Sequence, residues 1–492
     1  MTVDELVQRA TKGRKFNRHL LFRPSLVYRI LHDPFWIWCE HHAPKDEAVD
    51  ETTRYDEMRF QRGLEFEQTW LRENYPAAIK IEPDFGFEAL RNTFRAMIQR
   101  AAAIYQPQLW DLGRESYGKG DLLICDDSHP SDLGPYHYRV VEVKGSRSLQ
   151  DYHVLQAAFY NRMLGEIQGF VPNEMTVALR DASEPVAYSG REKDLDEILT
   201  LWGGLRDGLL IPEPGRPPAA TSSPWRIYGN KTVQARSELV LLAGVSRRER
   251  EKLRQAGVSR VDKLWNLRPE EVTEILGKEQ GANAYWVAQA YKKGGPIMRP
   301  GCRLEIPRAR RLLYFDFETS DDAHPKEPPH IYLIGCWDAN RDQYVKFLGH
   351  GAGDEERIFL EFLDYAGDPR NTLLYHWTDF EIKEMRQLTR RWPALQGPLE
   401  DLISRCVDLK EVIQRAVYLP VPTFSLKSVA PCLGFRWRQD EIGAYQAMMC
   451  YWDYLHESDA SAIRKAVTYN EDDCVAMWHI DQELARRLTS GS

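Results

Sequence analysis

The stretch RLLYFDFETSDD at residues 311–322 places two acidic residues in the middle of an apolar strand. Because side chains alternate along a β-strand, Asp316 and Glu318 project from one face, while Leu313, Phe315 and Phe317 project from the other. Two adjacent carboxylates near a hydrophobic core destabilise a fold unless a cation neutralises them. The pattern therefore predicts a metal site. The alternative is an edge strand with a solvated acidic face, so further residues have to decide.

Length and composition indicate a globular protein with more than one domain. The 492 residues exceed what one ordinary core accommodates, so we expect two or three domains. Hydrophobic residues make up 43% and charged residues 28%, which is typical of globular chains. The net charge of −8 gives the whole molecule no attraction for nucleic acid, so any basic surface has to be local.

The sequence also bears on the cellular compartment. The first residues, MTVDELVQRATKGRK, contain no apolar signal core, and no apolar run approaches the roughly 18 residues of a membrane span. The eight cysteines are scattered without a C-x-x-C pair, which favours free thiols in a reducing environment. We therefore expect a cytoplasmic protein with no membrane association.

Two breaks divide the chain into three predicted domains. PEPGRPPAATSSPWR at 212–226 has the composition of a linker, and KKGGPIMRPG at 292–301 is a second, shorter break. The predicted domains are residues 1–225, 226–300 and 301–492.

The predicted middle domain has apolar residues at helical spacing, interrupted at Ala256-Gly257-Val258. Short helices joined by a tight glycine turn suit a helix-hairpin-helix unit, in which amides of the turn at Gly257 hold a nucleic-acid phosphate. An ordinary solvated helix face is the alternative interpretation. The basic residues beside the turn are Arg247, Arg248, Arg250, Lys252 and Arg254.

Two further motifs in the third domain carry acidic residues. NTLLYHWTDFEIKEM at 371–385 is predicted to be a strand followed by a helix, and an acid at such a junction can point into a site near the strand end. AVTYNEDDCVAMWHI at 466–480 has helical spacing, so Tyr469 and Asp473 share one helical face. IYLIGCWD and YVKFLG, which follow the first motif, are predicted to be the second and third strands.

Together these motifs resemble the DEDD exonucleases of the RNase H-like fold, in the subtype with tyrosine. The resemblance covers roughly residues 305–485. It implies that Asp316, Glu318 and Asp473 bind two divalent cations, Mg²⁺ or Mn²⁺, and that Tyr469 orients the attacking water. Such hard cations prefer carboxylate oxygens, and two of them about 4 Å apart catalyse phosphodiester hydrolysis.

The second motif departs from the pattern of that family. His376 stands at the family's asparagine position, and Glu381 stands at its aspartate position. The resemblance implies that Glu381 is the fourth metal ligand. Asp379 and then Asp408 are the alternatives for that role.

A second group of motifs lies in the first predicted domain. YGKGDLLICDD at 117–127 predicts a turn and a strand with Asp121 at its start, and YHYRVVEVKGS at 136–146 predicts the partner strand. Glu142 and Lys144 are two residues apart and share one face of that strand. LQDYHVLQAAFYNRML at 149–164 predicts an amphipathic helix on which Gln156 and Tyr160 share a face.

These residues resemble the RecB-like branch of the PD-(D/E)XK nuclease superfamily. FQRGLEFEQTWL at 60–71 resembles the first motif of that branch, with Glu67 in place of a histidine. The resemblance implies that Asp121 and Glu142 bind a cation, with Glu67 as a further ligand. Lys144 would position or activate the nucleophilic water, and Gln156 and Tyr160 would support the site and contact nucleic acid.

The cysteines of the first domain bear on other metals. Some RecB-like relatives hold an iron–sulfur cluster through four cysteines, but only Cys39 and Cys125 precede residue 302, so no cluster is expected. Cys39, His41 and His42 have a spacing that fits no zinc pattern, and we interpret them as structural.

The joined pattern resembles a family of bacterial and archaeal RecB-like nucleases, and VDLKEVIQRAVYLPVPTFSLKSVAPCLGF at 407–435 adds to that likeness. The expected fold class is α/β: a PD-(D/E)XK-like domain, a helix-hairpin-helix-like middle and a C-terminal RNase H-like domain with a mixed sheet. The expected function is a metal-dependent nuclease with two sites, acting on DNA, with RNA as the alternative substrate. The rival hypothesis is a nucleic-acid-binding or scaffolding protein in which one or both sites are inactive.

Overall fold

The computed structural model describes residues 1–13, 15–214, 223–321, 324, 328–368, 370–439 and 441–489. Residue 322 of the first motif and residues 215–222 of the predicted linker lie outside this set. The chain forms two compact units, Met1–Asn230 and Lys231–Ser492. The predicted boundary near residue 300 lies inside the second unit, and the division into three domains stays a prediction. Both units combine helices with sheets, which confirms the α/β class.

The first unit contains a six-stranded sheet in the order β1-β2-β5-β6-β7-β8 and a separate β3–β4 hairpin. The strands are β1 (Ile79–Lys80), β2 (Ala103–Tyr105), β3 (Gln108–Asp111), β4 (Ser116–Lys119), β5 (Leu122–Asp126), β6 (His137–Val143), β7 (Glu174–Ala178) and β8 (Ser183–Ala187). The helices are α1 (Val3–Ala10), α2 (Val27–His32), α3 (Pro34–His42), α4 (Arg54–Asn74), α5 (Phe87–Ile98), α6 (Asp151–Gln168) and α7 (Glu192–Arg206), and α8 (Arg226–Ala235) spans the division between the units.

The antiparallel pair β5–β6 confirms the two strands predicted around Asp121 and Glu142. Helix α6 is less amphipathic than predicted, because 13 of its 18 residues are buried. The buried Gln168 side chain ties the helix to β6: it accepts a hydrogen bond from the Tyr138 amide and donates one to the Tyr138 carbonyl. The helix is therefore a core element that fixes the position of the sheet.

The second unit begins with the helices that the sequence predicts between the two breaks. They are α9 (Arg247–Gln255), α10 (Val261–Leu264), α11 (Pro269–Leu276) and α12 (Lys278–Lys293). Gly257 has φ +83° and ends α9, as a left-handed residue after a helix commonly does. Its amide donates to the Arg254 carbonyl, and the Val258 amide donates to the Leu253 carbonyl. These two amides of the turn are thus already bonded within the helix cap, so the geometry does not favour the predicted phosphate contact at Gly257.

The rest of the second unit is built on a five-stranded sheet in the order β12-β11-β10-β13-β14. The strands are β9 (Ile297–Met298), β10 (Arg311–Thr319), β11 (Ile331–Asp338), β12 (Gln343–Leu348), β13 (Thr372–His376), β14 (Cys406–Asp408) and β15 (Val417–Tyr418). The helices are α13 (Glu355–Ala366), α14 (Phe380–Arg391), α15 (Gln396–Ser404), α16 (Leu409–Ala416), α17 (Leu426–Cys432), α18 (Ala444–Glu457) and α19 (Ala460–Thr489).

The motif strand β10 lies at the centre of this sheet. It pairs antiparallel with β11 and parallel with β13. Leu313, Phe315 and Phe317 are buried on one face in a cluster with residues of α13, α14 and α15. Helix α19 contacts β10 and β11, and its apolar residues pack in a second cluster with Tyr314, whose side chain lies on the opposite face from Phe315. The edge-strand alternative is therefore wrong, because β10 has a neighbour on each side.

A close approach between α19 and β11 depends on a glycine. Gly335 is paired with Asp316 across the β10–β11 ladder. A Cβ atom at Gly335 would lie 1.6 Å from Asn470 Oδ1 and 2.8 Å from the Tyr344 hydroxyl. Asn470 is fully buried and accepts a hydrogen bond from that hydroxyl at 2.8 Å, so neither group can move away without losing its partner.

We predict that Gly335→Ala lowers the free energy of unfolding by about 1–3 kcal/mol, because overpacking at this point forces Asn470 out of its place. Urea denaturation followed by circular dichroism measures the change. Gly353→Ala is the control, since an added methyl group there meets no atom within 4 Å. Equal stability of the two variants would contradict the assignment of this contact.

Candidate active sites

The acidic face of β10 meets an acidic residue of α19. Asp316, Glu318 and Asp473 each offer a carboxylate oxygen, and these three atoms lie within 4.8 Å of one another. Among the described residues, Asp316, Glu318 and Asp473 are the His, Cys, Asp or Glu side chains that form a group of three or more with ligand atoms close enough together to hold a metal ion. The two motifs are more than 150 positions apart in sequence, and the packing of α19 on the sheet brings them together.

The carboxylates of this cluster are strongly perturbed. Burial raises the pKa of Asp316 well above its usual value, and repulsion from Glu318 and Asp473 raises it further. Burial and the charge of Asp473 likewise raise the pKa of Glu318. The pKa of Asp473 is raised by burial, although contacts with Lys427 oppose the shift. A proton or a metal cation therefore has to neutralise part of the cluster.

A buried asparagine fixes the two carboxylates of β10. Asn470 Nδ2 lies 2.9 Å from Asp316 Oδ2 and 3.4 Å from Glu318 Oε1, and it donates to both. The oxygen of the same amide accepts from Tyr344. The asparagine thus orients both acids without supplying a charge that would compete with a cation. The sequence analysis did not single out Asn470. The feature that could have identified it is its position directly after Tyr469, as a polar residue on a helix that packs against the sheet.

The fourth predicted ligand, Glu381, lies in the first turn of α14 after strand β13. Its carboxylate is within hydrogen-bonding reach of Asp316, and burial raises its pKa to about 7. Its Oε2 atom is buried and receives no hydrogen bond from the described residues; the His376 Nδ1 atom is 3.7 Å away. An unsatisfied buried carboxylate oxygen beside Asp316 fits a metal ligand.

The two alternatives for the fourth ligand are placed differently. Asp379 is exposed and forms an ion pair with Lys383 at 2.6 Å. Asp408 caps helix α16 by accepting a hydrogen bond from the Glu411 amide at 2.9 Å. Both carboxylates have partners of their own, so the geometry favours Glu381.

Asp473 has three partners of its own. The Tyr469 hydroxyl lies within hydrogen-bonding reach of it. Lys427 Nζ is 2.9 Å from Asp473 Oδ1, and Trp437 Nε1 donates to the same oxygen at 2.6 Å. Sequence reasoning missed Lys427 and Trp437, because neither stands at a helical or strand spacing from the acidic motifs.

The predicted residues of the first unit also converge. Asp121 Oδ2 accepts a hydrogen bond from the Val143 amide at 2.8 Å, which holds it beside Glu142. Lys144 Nζ lies 2.7 Å from Glu142 Oε2 and 3.6 Å from Asp121 Oδ2. Gln156 Nε2 donates to Glu142 Oε2 at 2.9 Å. The turn before β5, the end of β6 and helix α6 thus contribute to one cluster.

The charges of this cluster act on one another. Burial and the charge of Asp121 raise the pKa of Glu142 to about 8. Burial also raises the pKa of Glu67 on α4, and the charge of Asp121 raises it further. Burial opposes the charged form of Lys144, but Glu142 and Asp121 outweigh it and raise the pKa of Lys144. The lysine is therefore the cation that balances these acids in this structure.

Tyr160 lies behind this cluster. Its side chain is 2% exposed, and its hydroxyl donates to the Lys119 carbonyl at 2.8 Å. A Cβ atom at Gly118 would come within 2.8 Å of its ring. Tyr160 thus supports the turn that leads to Asp121, and its burial does not favour the predicted contact with nucleic acid.

Cys39, His41 and His42 have separate surroundings. Cys39 is buried in an apolar cluster with Phe35 and Trp225. The ring of His41 packs against Trp202, and His42 Nε2 lies 3.0 Å from the Leu205 carbonyl. These contacts agree with the structural interpretation of the three residues.

Comparison with known proteins supports an RNase H-like C-terminal region. Residues 313–485 match the sequence model of RNase_H_2, a family of the RNase H superfamily. The matched range runs from β10 to α19 and includes Asp316, Glu318, Glu381, Tyr469 and Asp473. A search of curated proteins found no match. The RecB-like resemblance of the first unit stays a prediction.

The match and the carboxylate cluster together support a metal-dependent nuclease with a nucleic-acid substrate. The donor set consists of carboxylate oxygens, which suits Mg²⁺ or Mn²⁺. Every helix in the described part of the chain is too short or too polar to cross a lipid bilayer. The predicted cytoplasmic location stays a prediction.

We predict that Mn²⁺ raises the thermal midpoint of the wild-type protein by relieving repulsion in the Asp316 cluster. A cation at about 100 times its dissociation constant adds roughly 2.7 kcal/mol to the folded state. Glu318→Gln is expected to be more stable than wild type in EDTA and to gain less from Mn²⁺. Differential scanning fluorimetry with and without Mn²⁺ measures both effects.

The control for this measurement is Glu361→Gln, the same chemical change at an exposed residue of α13. It should respond to Mn²⁺ as wild type does. If Glu318→Gln gained as much as wild type, the carboxylates of β10 would not be metal ligands.

Proposed function

We propose that the chain is a metal-dependent 3′–5′ exonuclease that hydrolyses phosphodiester bonds of DNA at its C-terminal site. The observation that carries the proposal is the meeting of Asp316, Glu318 and Asp473 within 4.8 Å, with Glu381 beside Asp316. These four carboxylates would hold two Mg²⁺ or Mn²⁺ ions. When bound, such ions lower the pKa of water and stabilise the charge that develops on a phosphate.

The residues around the carboxylates have separate tasks in this proposal. Asn470 fixes the orientation of Asp316 and Glu318. In this role the Tyr469 hydroxyl would donate its proton toward Asp473, and its oxygen would accept a hydrogen bond from the attacking water. Since Tyr469 is 6% exposed, its ring has little freedom, and the water is held in one orientation.

We predict that Asp316→Asn and Asp473→Asn each lower the rate of DNA trimming by about 1000-fold, since losing several kcal/mol of charge stabilisation costs about tenfold per 1.4 kcal/mol. The assay follows 3′-end trimming of 5′-labelled single- and double-stranded DNA, and of RNA, in Mg²⁺ and in Mn²⁺. Tyr469→Phe should lower the rate less, because it removes a hydrogen bond but no ligand.

Asp379→Asn is the matched control, because Asp379 belongs to the same motif as Glu381 but is exposed and paired with Lys383. Its rate should equal that of wild type. Thermal midpoints in Mn²⁺ show that the slow variants are folded. Unchanged trimming by Asp316→Asn and Asp473→Asn would refute the proposed site.

We also propose that the first unit contains a second nuclease site of RecB-like type. Asp121 and Glu142, with Glu67, would hold a cation, and Lys144 would position the nucleophilic water. Two sets of hydrogen bonds support this proposal: Lys144 and Gln156 donate to Glu142, and the Val143 amide donates to Asp121, which directly precedes β5.

We predict that Glu142→Gln abolishes any cleavage that survives in Asp316→Asn, because the second site would lose a cation ligand. Glu184→Gln, on an exposed residue of the same sheet, serves as the control. The products of the single and double variants on closed circular and end-labelled DNA separate internal cutting from trimming. Surviving cleavage in the double variant would place that activity outside both clusters.

The rival function is nucleic-acid binding without hydrolysis. The first unit supplies the observation that favours it, because the Lys144 ammonium group lies between Asp121 and Glu142, where a cation would otherwise bind. Tight binding of DNA by a wild-type protein that trims no substrate in Mg²⁺ or Mn²⁺ would support the rival function.

A further inference from the structure

Lys427 is the basic side chain placed against the acidic cluster of the second unit. Its Nζ atom is 2.9 Å from Asp473 Oδ1. The same atom lies 3.9 Å from the ring centre of Trp437 and 4.2 Å from that of Tyr469. Two aromatic faces and one carboxylate thus confine the ammonium group, and each of these contacts is attractive for a cation.

The other side of Lys427 is open to solvent. Its side chain is 43% exposed, whereas the side chain of Asp473 is 10% exposed. The Trp437 ring is half-buried, and the neighbouring residues Arg436 and Arg438 are exposed. The ammonium group therefore stands at the edge of the cluster, between the buried carboxylates and the solvent from which a substrate arrives.

Bound cations would neutralise the negative charge that Lys427 faces. Asp316, Glu318, Glu381 and Asp473 carry four negative charges when ionised, and two divalent cations would balance all four. Asp473 would then direct its oxygens to a cation. Lys427 cannot withdraw its charge easily, because Trp437 and Tyr469 confine it. A negatively charged group from outside the protein would therefore be attracted to Lys427 at the exposed side of its ammonium group.

We propose that Lys427 is a substrate-binding residue that contacts the phosphate group of the nucleotide linkage at the 3′ end of the bound strand. This inference rests on the proposed exonuclease function and names the part of the substrate that the site recognises. Asp473 holds the ammonium group in position until the substrate arrives, and the flat faces of Trp437 and Tyr469 keep it there. A lysine in this role recognises the negative charge of the phosphate and does not distinguish between bases.

The test uses the full-length protein and a nucleic acid that lacks one backbone charge. Single-stranded oligonucleotides carry a neutral methylphosphonate at each of the last three 3′ linkages in turn. Binding is measured by fluorescence anisotropy in Ca²⁺, which also binds carboxylate oxygens, and gel analysis shows that the strand stays intact. Wild type should bind one of the three neutral analogues about tenfold more weakly than the natural strand.

The variants decide whether Lys427 is the cause of that discrimination. Lys427→Met should bind the natural strand and that analogue equally, and the slope of its affinity against salt should be smaller by about 0.7. Lys427→Arg keeps the charge and should retain discrimination. Lys465→Met is the matched control, since Lys465 is an exposed lysine on α19, and it should behave as wild type does.

The inference would be overturned if Lys427→Met discriminated between the natural strand and the neutral analogue as strongly as wild type does. It would also be overturned if wild type bound the natural strand and all three analogues equally. Hydrolysis in Mn²⁺ is measured in parallel. Discrimination that depends on Lys427 in a protein that hydrolyses nothing would refute the exonuclease proposal and support the phosphate contact. Hydrolysis by wild type without discrimination that depends on Lys427 would refute the phosphate contact alone.

Discussion

The repulsion among Asp316, Glu318 and Asp473 is the constraint on which the C-terminal site depends. Three carboxylates within 4.8 Å in a largely buried place are unfavourable unless opposite charge or hydrogen-bond donors surround them. The chain supplies donors from Asn470, and it supplies one positive charge from Lys427 at the edge. No donor described beside Asp316 carries a full charge, so the centre of the cluster keeps its capacity for cations.

The two acidic clusters balance their charges differently. In the second unit Lys427 pairs with Asp473, whereas Asn470 donates hydrogen bonds to Asp316 and Glu318. In the first unit Lys144 lies between Asp121 and Glu142. A cation entering the first cluster meets an ammonium group beside Asp121 and Glu142, whereas one entering the second cluster meets the carboxylates of Asp316 and Glu318. The presence of Glu67 in place of a histidine adds a negative charge to the first cluster, which offsets part of this disadvantage.

The sequence predicted those parts of the site that follow from local periodicity. Alternation along β10 placed Asp316 and Glu318 on one face of the strand, and the helical repeat placed Tyr469 and Asp473 on one face of the helix, because both patterns are set by backbone geometry. The resemblance to the DEDD exonucleases, and not the spacing, implied that these residues act together. The roles of Lys427 and Asn470 were not predicted, because they depend on tertiary contacts that local sequence spacing does not indicate. Gly257 was assigned to a phosphate from its turn, but the same left-handed turn serves as a helix cap.

The order of the strands explains why these particular positions became a site. Strand β10 lies in the middle of the sheet, so its acids cannot reach bulk water at an edge. Strand β13 runs parallel to β10, and the helix after it therefore begins near the carboxyl end of β10 and brings Glu381 to Asp316. Helix α19 closes the opposite face, and Gly335 allows it to approach closely enough for Asn470 to reach both acids. Acids held this close together lower the stability of the folded state. Their presence at the centre of the sheet is therefore better explained by cation binding than by a contribution to stability.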